Sequence, residues 1–291
     1  MKIVQTLEDL REERSKMTGP VGLVPTMGFL HAGHISLVKQ AVKECANVVV
    51  SIYVNPTQFS PTEDFASYPR DLDRDAALLK EAGATLVWAP TDAVMYPSGY
   101  QTYVNVEDVT KVLEGAMRPT HFRGVTTVVA KLFNAVQPDK AFFGQKDAQQ
   151  VAVLSRMVKD LNFNLEMVVC PIVREKDGLA LSSRNTYLDT AQRQAALVLS
   201  RALRKAREIF INGERESQKI RSEMEKIFTG EPAAKVQYIS IADTQSLLEV
   251  EWIETQALVS MAVYIGKTRL IDNTILGKPD PALDKSSGLV L

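Results

Sequence analysis

The stretch PTMGFLHAGH, Pro25 to His34, decides how this chain is read. It overlaps the end of a short apolar run, VGLVP (21–25), read as a buried strand. It leads into ISLVKQAVKECA (35–46), where Ile35, Leu37, Val38, Ala41, Val42 and Cys45 form one helical stripe. Two of the chain's three histidines, His31 and His34, stand here, with Gly33 between them and Gly28 upstream. A turn between a strand and a helix start is where an open parallel sheet binds ligands, beyond the carboxyl ends of its strands. The helix N-terminus offers unpaired N–H groups and the positive end of a dipole, which together favour a phosphate. Gly28 and Gly33 allow the backbone to approach such an anion closely. Two imidazoles three apart can face the same way and hydrogen-bond phosphate oxygens as charge develops on them. Loss of one such donor is expected to cost on the order of 10²–10³ in rate. Two alternatives stay open on these residues alone: histidines satisfied within the loop, or a metal pair, for which no third ligand has suitable spacing.

Outward from this stretch the same alternation recurs. NVVVSIYVN (47–55) is a β-branched run stopped by Pro56, and DLDRDAALLKEAG (71–83) is a helix with acids in its first turn and glycine at its end. ATLVWAP (84–90) is a strand, FRGVTTVVAKLFNAVQ (122–137) has helical spacing, KAFFG (140–144) is a strand, DAQQVAVLSRMVKDL (147–161) a helix and LEMVVCPIV (165–173) a strand. Buried strands joined by helices predict an α/β parallel sheet with helices on both faces. After the loop REKDGLALSSRN (174–185) the texture changes. Two charge-rich amphipathic helices are expected over 190–213 and 215–230, then a strand at 235–243 and a hairpin over 257–276. The chain therefore divides into a first domain, 1–175, and a smaller α+β domain, 176–278. The tail, 279–291, has no periodicity and is expected to be disordered.

The totals exclude several classes. At 291 residues the chain forms one large or two moderate domains, with a core that requires no disulfide or structural metal. A net charge of −1 argues against a nucleic-acid surface. Cys45 and Cys170, each flanked by apolar residues, read as reduced thiols at least half-buried. The N-terminus MKIVQTLEDLREERSKM has acids where a signal peptide has an apolar core, and no run approaches the ~20 apolar residues of a membrane span. The chain reads as cytoplasmic, without a membrane partner.

The motif H-x-G-H at His31–His34 resembles that of the nucleotidyltransferase superfamily, which acts at the α-phosphate of ATP. VNPTQF (54–59), EDFASYPRDLDRD (63–75), RPTHFRGVTTVV (118–129), FFGQKDAQQ (142–150) and KDGLALSSRN (176–185) occur in the order, and at about the spacings, of the pantothenate synthetase family. The resemblance extends from residue 1 to about 277. It implies a Rossmann-like N-terminal domain that binds nucleotide and pantoate, with the C-terminal domain as a lid. It also implies an ATP site lined by Met27, Gly28, Phe29, Leu30, His31, Ala32, Gly33, His34, Gly144, Gln145, Lys146, Asp147, Val173, Leu181, Ser182, Ser183 and Arg184. His34, His31, Lys146 and Arg184 would be catalytic. Gln58, Gln150 and Met27 would bind the small substrates, pantoate and β-alanine, with Phe59 as a second apolar wall. His121 and Arg118 would help at the phosphates.

Each motif also has its own chemistry. Lys146 is a point charge suited to phosphate, Asp147 suits a ribose hydroxyl or the helix dipole, and Ser182, Ser183 and Arg184 supply two hydroxyls and a bidentate guanidinium. Each also has a plainer reading, as a capped helix start or a turn. The family pattern carries Glu where this chain has Gln145. Mg²⁺ is expected with ATP; Asp75 could stand near a magnesium-bound phosphate, or simply in a solvated helix start. The implied reaction makes pantothenate, AMP and pyrophosphate through a pantoyl adenylate, in a homodimer. Another nucleotidyltransferase of the superfamily, acting on a different small substrate, and a nucleotide-binding regulator without turnover are the rivals.

Overall fold

A computed structural model of the chain describes residues 1–60 and 65–284. Glu63 and Asp64, which open the motif at 63–75, lie outside the described residues, as do 285–291. The chain separates into two compact units, one of residues 1–144 and 153–170, the other of 145–152 and 171–291.

In the first unit the strands are β1 (Lys2–Val4), β2 (Val21–Thr26), β3 (Asn47–Ile52), β4 (Leu86–Trp88), β5 (Lys140–Gly144) and β6 (Glu166–Cys170). The helices in chain order are α1 (Leu7–Ser15), α2 (Ala32–Glu44), α3 (Leu72–Ala82), the short α4 (Asp92–Met95) and α5 (Leu113–Met117), α6 (His121–Val136) and α7 (Ala148–Asp160), whose start as far as Ala152 belongs to the second unit. The strands form one sheet in the order β1-β4-β3-β2-β5-β6, every pair parallel. Parallel pairing demands crossovers, and the helices that make them cover the sheet, so the inner strands β2, β3, β4 and β5 are buried through most of their length rather than alternating, while β1 and β6 at the edges are partly exposed. Val24, Val48, Val50 and Phe142 join Leu37, Val38 and Ala41 of α2 and Leu79 and Ala82 of α3 in one buried cluster. β2 passes to β3 on one side, while β5 arrives on the other, so strand order reverses at β2 and β5. Their carboxyl ends, Thr26 and Gly144, are where such a sheet leaves a crevice.

The second unit holds α8 (Thr190–Ala195), α9 (Leu197–Ile211) and α10 (Ser217–Thr229), then β7 (Ala234–Ala242), β8 (Ala257–Ile265), β9 (Thr268–Leu276) and α11 (Pro281–Asp284). β7-β8-β9 is an antiparallel sheet. Its inner face meets Leu199, Ala202, Leu203 and Ala206 of α9 and Ile220, Met224 and Phe228 of α10.

The structure differs from the sequence reading in four places. The expected helix 190–213 is two helices that meet at Ala196, the first with a capping box of Asp189 and Gln192. β1 and α1 carry no expectation at all, because a three-residue strand contains too few positions to show a period. The disordered tail from 279 is corrected as far as Asp284. That carboxylate accepts from Arg207 Nε at 2.7 Å and Nη2 at 2.9 Å, and Arg207 also donates to the carbonyls of Ile275 and Lys278, so the segment closes over a buried guanidinium. The border expected at 175 also moves to 170, with Gln145–Ala152 joining the second unit.

Candidate active site

The loop that leaves β2 turns through two successive residues with positive φ, Gly28 at +82° and Phe29 at +49°. A Cβ on Gly28 would meet Asp75 Oδ2 and Ile52 Cγ2, both at 3.1 Å, so the position requires glycine on two counts. Phe29 is held against its own preference by Asp75, whose Oδ2 accepts from Phe29 N at 2.7 Å and whose Oδ1 accepts from Leu30 N at 2.8 Å. Arg74 completes the grip: Nη2 donates to Leu30 O at 3.0 Å and the guanidinium stands over the Phe29 ring. The expectation of a solvated helix start is thereby corrected: Asp75 is 1% exposed, and each of its two oxygens accepts from a backbone N–H. Burial pushes its carboxyl up from the usual range, against the pull of the Leu30 and Phe29 donors.

The loop delivers the chain into α2, whose cap is built from the two histidines. His31, the N-cap, accepts from Gly33 N through Nδ1 at 3.1 Å; His34, three residues on, accepts from His31 N through its own Nδ1 at 3.3 Å. This is a capping box with imidazoles in place of the usual hydroxyl and carboxylate. An Nδ1 that accepts leaves the proton of a neutral imidazole on Nε2, so both rings are Nε2–H tautomers. The rings stand 4.1 Å apart, tilted by 34°. No acid stands in the first turn of α2, so its dipole is left for another anion.

After β3, the 3₁₀ turn Pro56–Gln58 brings Gln58 to Met27: its Nε2 donates to Met27 Sδ at 3.2 Å. Its Oε1 accepts from Asn55 Nδ2 at 3.1 Å, and that bond fixes which end of the amide is the donor. Asn55, 1% exposed, takes the Tyr96 hydroxyl on Oδ1 at 2.8 Å. Burial first, with neighbouring tyrosines, pushes the Tyr96 phenol up to about 12, while a Thr57 hydrogen bond opposes it. Gly124 of α6 lets the turn approach, since a Cβ there would lie 2.3 Å from Thr57 O. His121 donates from Nδ1 to Gln58 O at 2.9 Å, and Arg118 Nη1 reaches His121 Nε2 at 3.2 Å. His121 is therefore the opposite tautomer from His31 and His34. Phe59 packs on Phe65 and Tyr68.

In the second unit, Gln145–Asp147 is a 3₁₀ turn that runs straight from β5 into α7. Lys146 is partly buried with Nζ 4.0 Å from Asp147 Oδ1, and Gln150 lies half-buried one turn on. The segment from Val173 to Leu181 folds back on itself: Leu181 N donates to Val173 O at 3.0 Å and Glu175 N to Leu179 O at 2.8 Å. Ser182 then caps the turn Ser183–Tyr187, accepting from Arg184 N at 3.3 Å and keeping its own O–H to donate. Arg193 holds the loop by Glu175 and Asp177, both at 2.8 Å. Burial alone would raise the Asp177 carboxyl, but Arg193 and the Leu179 N–H outweigh it and hold it below the usual range.

So the first unit gathers Met27, Gly28, His31, His34 and Gln58, and the second holds Gln145, Lys146, Val173, Leu181, Ser182, Ser183 and Arg184 on two adjoining turns. The sequence reading missed Asn55, Tyr96 and Arg74. Asn55 and Arg74 stood inside quoted motifs, but nothing in a linear pattern marks a side chain as supporting another.

A parallel sheet with a histidine-capped helix at its reversal point, in the first unit, and turns bearing basic and hydroxyl groups, in the second, are the parts of a nucleotide-handling α/β enzyme. Comparison with known proteins narrows this. The family described as "Pantoate-beta-alanine ligase" matches residues 2–275. A pantothenate synthetase of Herpetosiphon aurantiacus is 56% identical over 277 residues, 95% of this chain and 100% of that protein. A pantothenate synthetase structure from Thermus thermophilus is 47% identical with a TM-score of 0.90, covering 94% of this chain and 99% of that one. A pantoate-beta-alanine ligase from Francisella tularensis, solved with beta-gamma ATP and beta-alanine, is 33% identical with a TM-score of 0.77, covering 96% and 99%. The chain belongs to the pantoate–β-alanine ligase family, and the reaction is the joining of pantoate to β-alanine.

Proposed function

We propose that the ligation runs on ATP in two steps. A pantoate carboxylate oxygen attacks the α-phosphorus as the bond to the β-phosphate oxygen breaks, giving pantoyl adenylate and pyrophosphate. The β-alanine amine then attacks the acyl carbon, loses a proton, and AMP leaves with the acyl C–O electrons. The first nucleophile is already an anion, so catalysis is positioning and charge stabilisation. The observation that carries this reading is the histidine capping box, which fixes Nε2–H on both His31 and His34 at a helix N-terminus lacking acids. Those donors suit the charge that develops at the α-phosphate. Lys146 and Arg184, with Ser182 and Ser183, suit the β- and γ-phosphates. Gly28, Phe29, Leu30, Ala32, Gly33, Gly144, Gln145, Asp147, Val173 and Leu181 contribute backbone and walls. Gln58, with its donor end fixed by Asn55, serves pantoate and β-alanine; Gln150 and Met27 serve pantoate.

Mg²⁺ would travel with the phosphates of ATP. Among the described residues no group of three or more His, Cys, Asp or Glu side chains gathers to hold a metal. A homodimer is the assembly we propose from the family resemblance, testable by light scattering. Use of ATP supports the cytoplasm as the compartment; no helix among the described residues is long and apolar enough to cross a membrane.

The test is pantoate-dependent exchange of labelled pyrophosphate into ATP, without β-alanine. His34→Ala should lower it by on the order of 10²–10³. His34→Gln keeps an acceptor for the His31 N–H, as glutamine does in an ordinary capping box, and should stay as slow as Ala while regaining stability. Full exchange in His34→Gln would assign the histidine to the cap alone, and no exchange in folded wild-type protein would remove the adenylate.

A further inference from the structure

The strand β9 carries an Asp-Asn pair that the reaction scheme leaves without a role, although both residues are only 2% exposed. Asn273 Nδ2 donates to the carbonyl of Gln145 at 3.0 Å and to that of Lys146 at 2.8 Å, and its Oδ1 accepts from Gln145 Nε2 at 3.2 Å. One carboxamide therefore spends every hydrogen-bonding group it has on two consecutive residues. Asp272, beside it, takes a bidentate pair from Arg174 at 2.7 and 2.9 Å, with both side chains at most 2% exposed. Arg174 also donates to Gly178 O and to Asn273 O. It follows Val173 and stands at the base of the turn that ends in Leu181. Two adjacent side chains thus fasten the two turns of this unit: Asp272 the loop 173–181, Asn273 the backbone of Gln145 and Lys146.

We infer that Asn273 is a positioning residue for ATP. It holds the Gln145–Lys146 peptide so that the Lys146 ammonium meets the phosphates, and acts through that lysine without touching substrate itself. This rests on the assignment of Lys146 to ATP. A 3₁₀ turn of three residues has little internal hydrogen bonding to define it. Its carbonyls would otherwise take water, and the turn would sample several orientations of the lysine stem. The carboxamide fits because two carbonyls require two hydrogens on one atom, which Asn supplies and Asp does not.

The experiment compares Asn273→Asp, Asn273→Ala and Lys146→Met in pyrophosphate exchange and in steady-state kinetics. Asn273→Asp keeps shape and the acceptor for Gln145 but removes both hydrogens. It is expected to raise KM for ATP about tenfold, as befits two lost hydrogen bonds of ordinary net strength. KM for β-alanine should stay within about twofold, and the double variant with Lys146→Met should be no worse for ATP than Lys146→Met alone. If Lys146→Met leaves KM for ATP unchanged, the assignment of Lys146 fails. If Lys146→Met weakens ATP while Asn273→Asp does not, the assignment stands and the inference falls. Equal losses for all three substrates, or additive losses in the double variant, would reduce Asn273 to a structural role and overturn the inference. Should Asn273→Ala fail to fold, Asn273→Asp, with the same volume, still decides.

Discussion

The turns that follow β2 and β5 are secured in opposite ways. After β2 the chain leaves the N–H groups of Phe29 and Leu30 without partners, and a carboxylate, Asp75, accepts from both. After β5 it leaves the carbonyls of Gln145 and Lys146, and a carboxamide, Asn273, donates to both. The first anchor lies 46 and 45 residues along the chain, the second 128 and 127. In each case the side chain is chosen by the polarity of what the turn orphaned, because a carboxylate only accepts and an amide NH₂ only donates. Leu30 N is buried, and a buried backbone group left unmet costs as much as a lost hydrogen bond or more, so the first anchor is demanded by its turn; the part-buried carbonyls of Gln145 and Lys146 would otherwise take water, so the second anchor fixes the turn's orientation.

The strongest way to break this comparison is at Asp75. Asp75→Ala removes two charge-assisted hydrogen bonds and leaves Leu30 N buried, with a loss of about 3 kcal/mol. Asp75→Asn should recover little of it, because its NH₂ must face one of the two N–H groups. Urea unfolding of both variants checks this. If Asp75→Asn is as stable as wild type, any polar side chain would do and polarity does not select the anchor. Exchange activity should fall along with stability, since Arg74 alone is left to hold Phe29 at a φ of +49°.

How much of this was legible follows from the same contrast. H-x-G-H, Lys146 and the Leu181–Arg184 turn could be found because each motif is local: the residues that would act are neighbours in sequence. The order of strands and helices was legible for a similar reason, since apolar runs and helical stripes are short-range patterns. The anchors are not local. Asp75 stands out in DLDRD as a candidate beside a magnesium-bound phosphate or in a solvated helix start, and only the path of the loop after β2 shows that it turns inward to that loop's N–H groups. Asn273 lay in a run read as half of a hairpin, and nothing in TRLIDNTIL predicts a partner 128 residues earlier. Asp284 was hidden for a related reason: it is secured by Arg207, which sat on a helix read as amphipathic and charge-rich, and a four-residue helix has no period of its own.

A middle-sized effect is expected at Tyr96, the remote support of Gln58. Tyr96→Phe removes the donor to Asn55 and should cost about 1 kcal/mol near neutral pH. Its pH dependence follows from burial, which pushes the folded-state phenol from 10.0 to about 12. A raised pKa contributes stability that is complete below the unfolded value and is lost as pH climbs through the folded one. The gap between wild type and Tyr96→Phe should therefore stay level to about pH 10, then close and reverse as pH climbs toward 12, because the shift outweighs the hydrogen bond removed. Urea melts at about pH 8 and about pH 11 would show it; an undiminished gap at the higher pH would mean that the phenol is not shielded and that Asn55 is held in some other way.

The smallest effect sharpens the comparison most, because it changes the partner and leaves the anchor alone. Gln145 gives its Nε2 to Asn273 Oδ1, whereas the backbone carbonyls of Gln145 and Lys146 take the hydrogens of Asn273. In Gln145→Glu, the residue type of the family pattern, a carboxylate would face Oδ1 acceptor to acceptor and must swing away, which its half-buried position permits. The two carbonyl bonds survive that swing. KM for ATP should then shift by less than about threefold, against about tenfold for Asn273→Asp, with the difference set by the loss of one side-chain bond versus two bonds to backbone carbonyls. Were Gln145→Glu as damaging as Asn273→Asp, the side-chain pair rather than the carbonyl clamp would be what fixes the turn. The opposition between an acid that gathers N–H groups and an amide that gathers C=O groups would then hold for β2 alone.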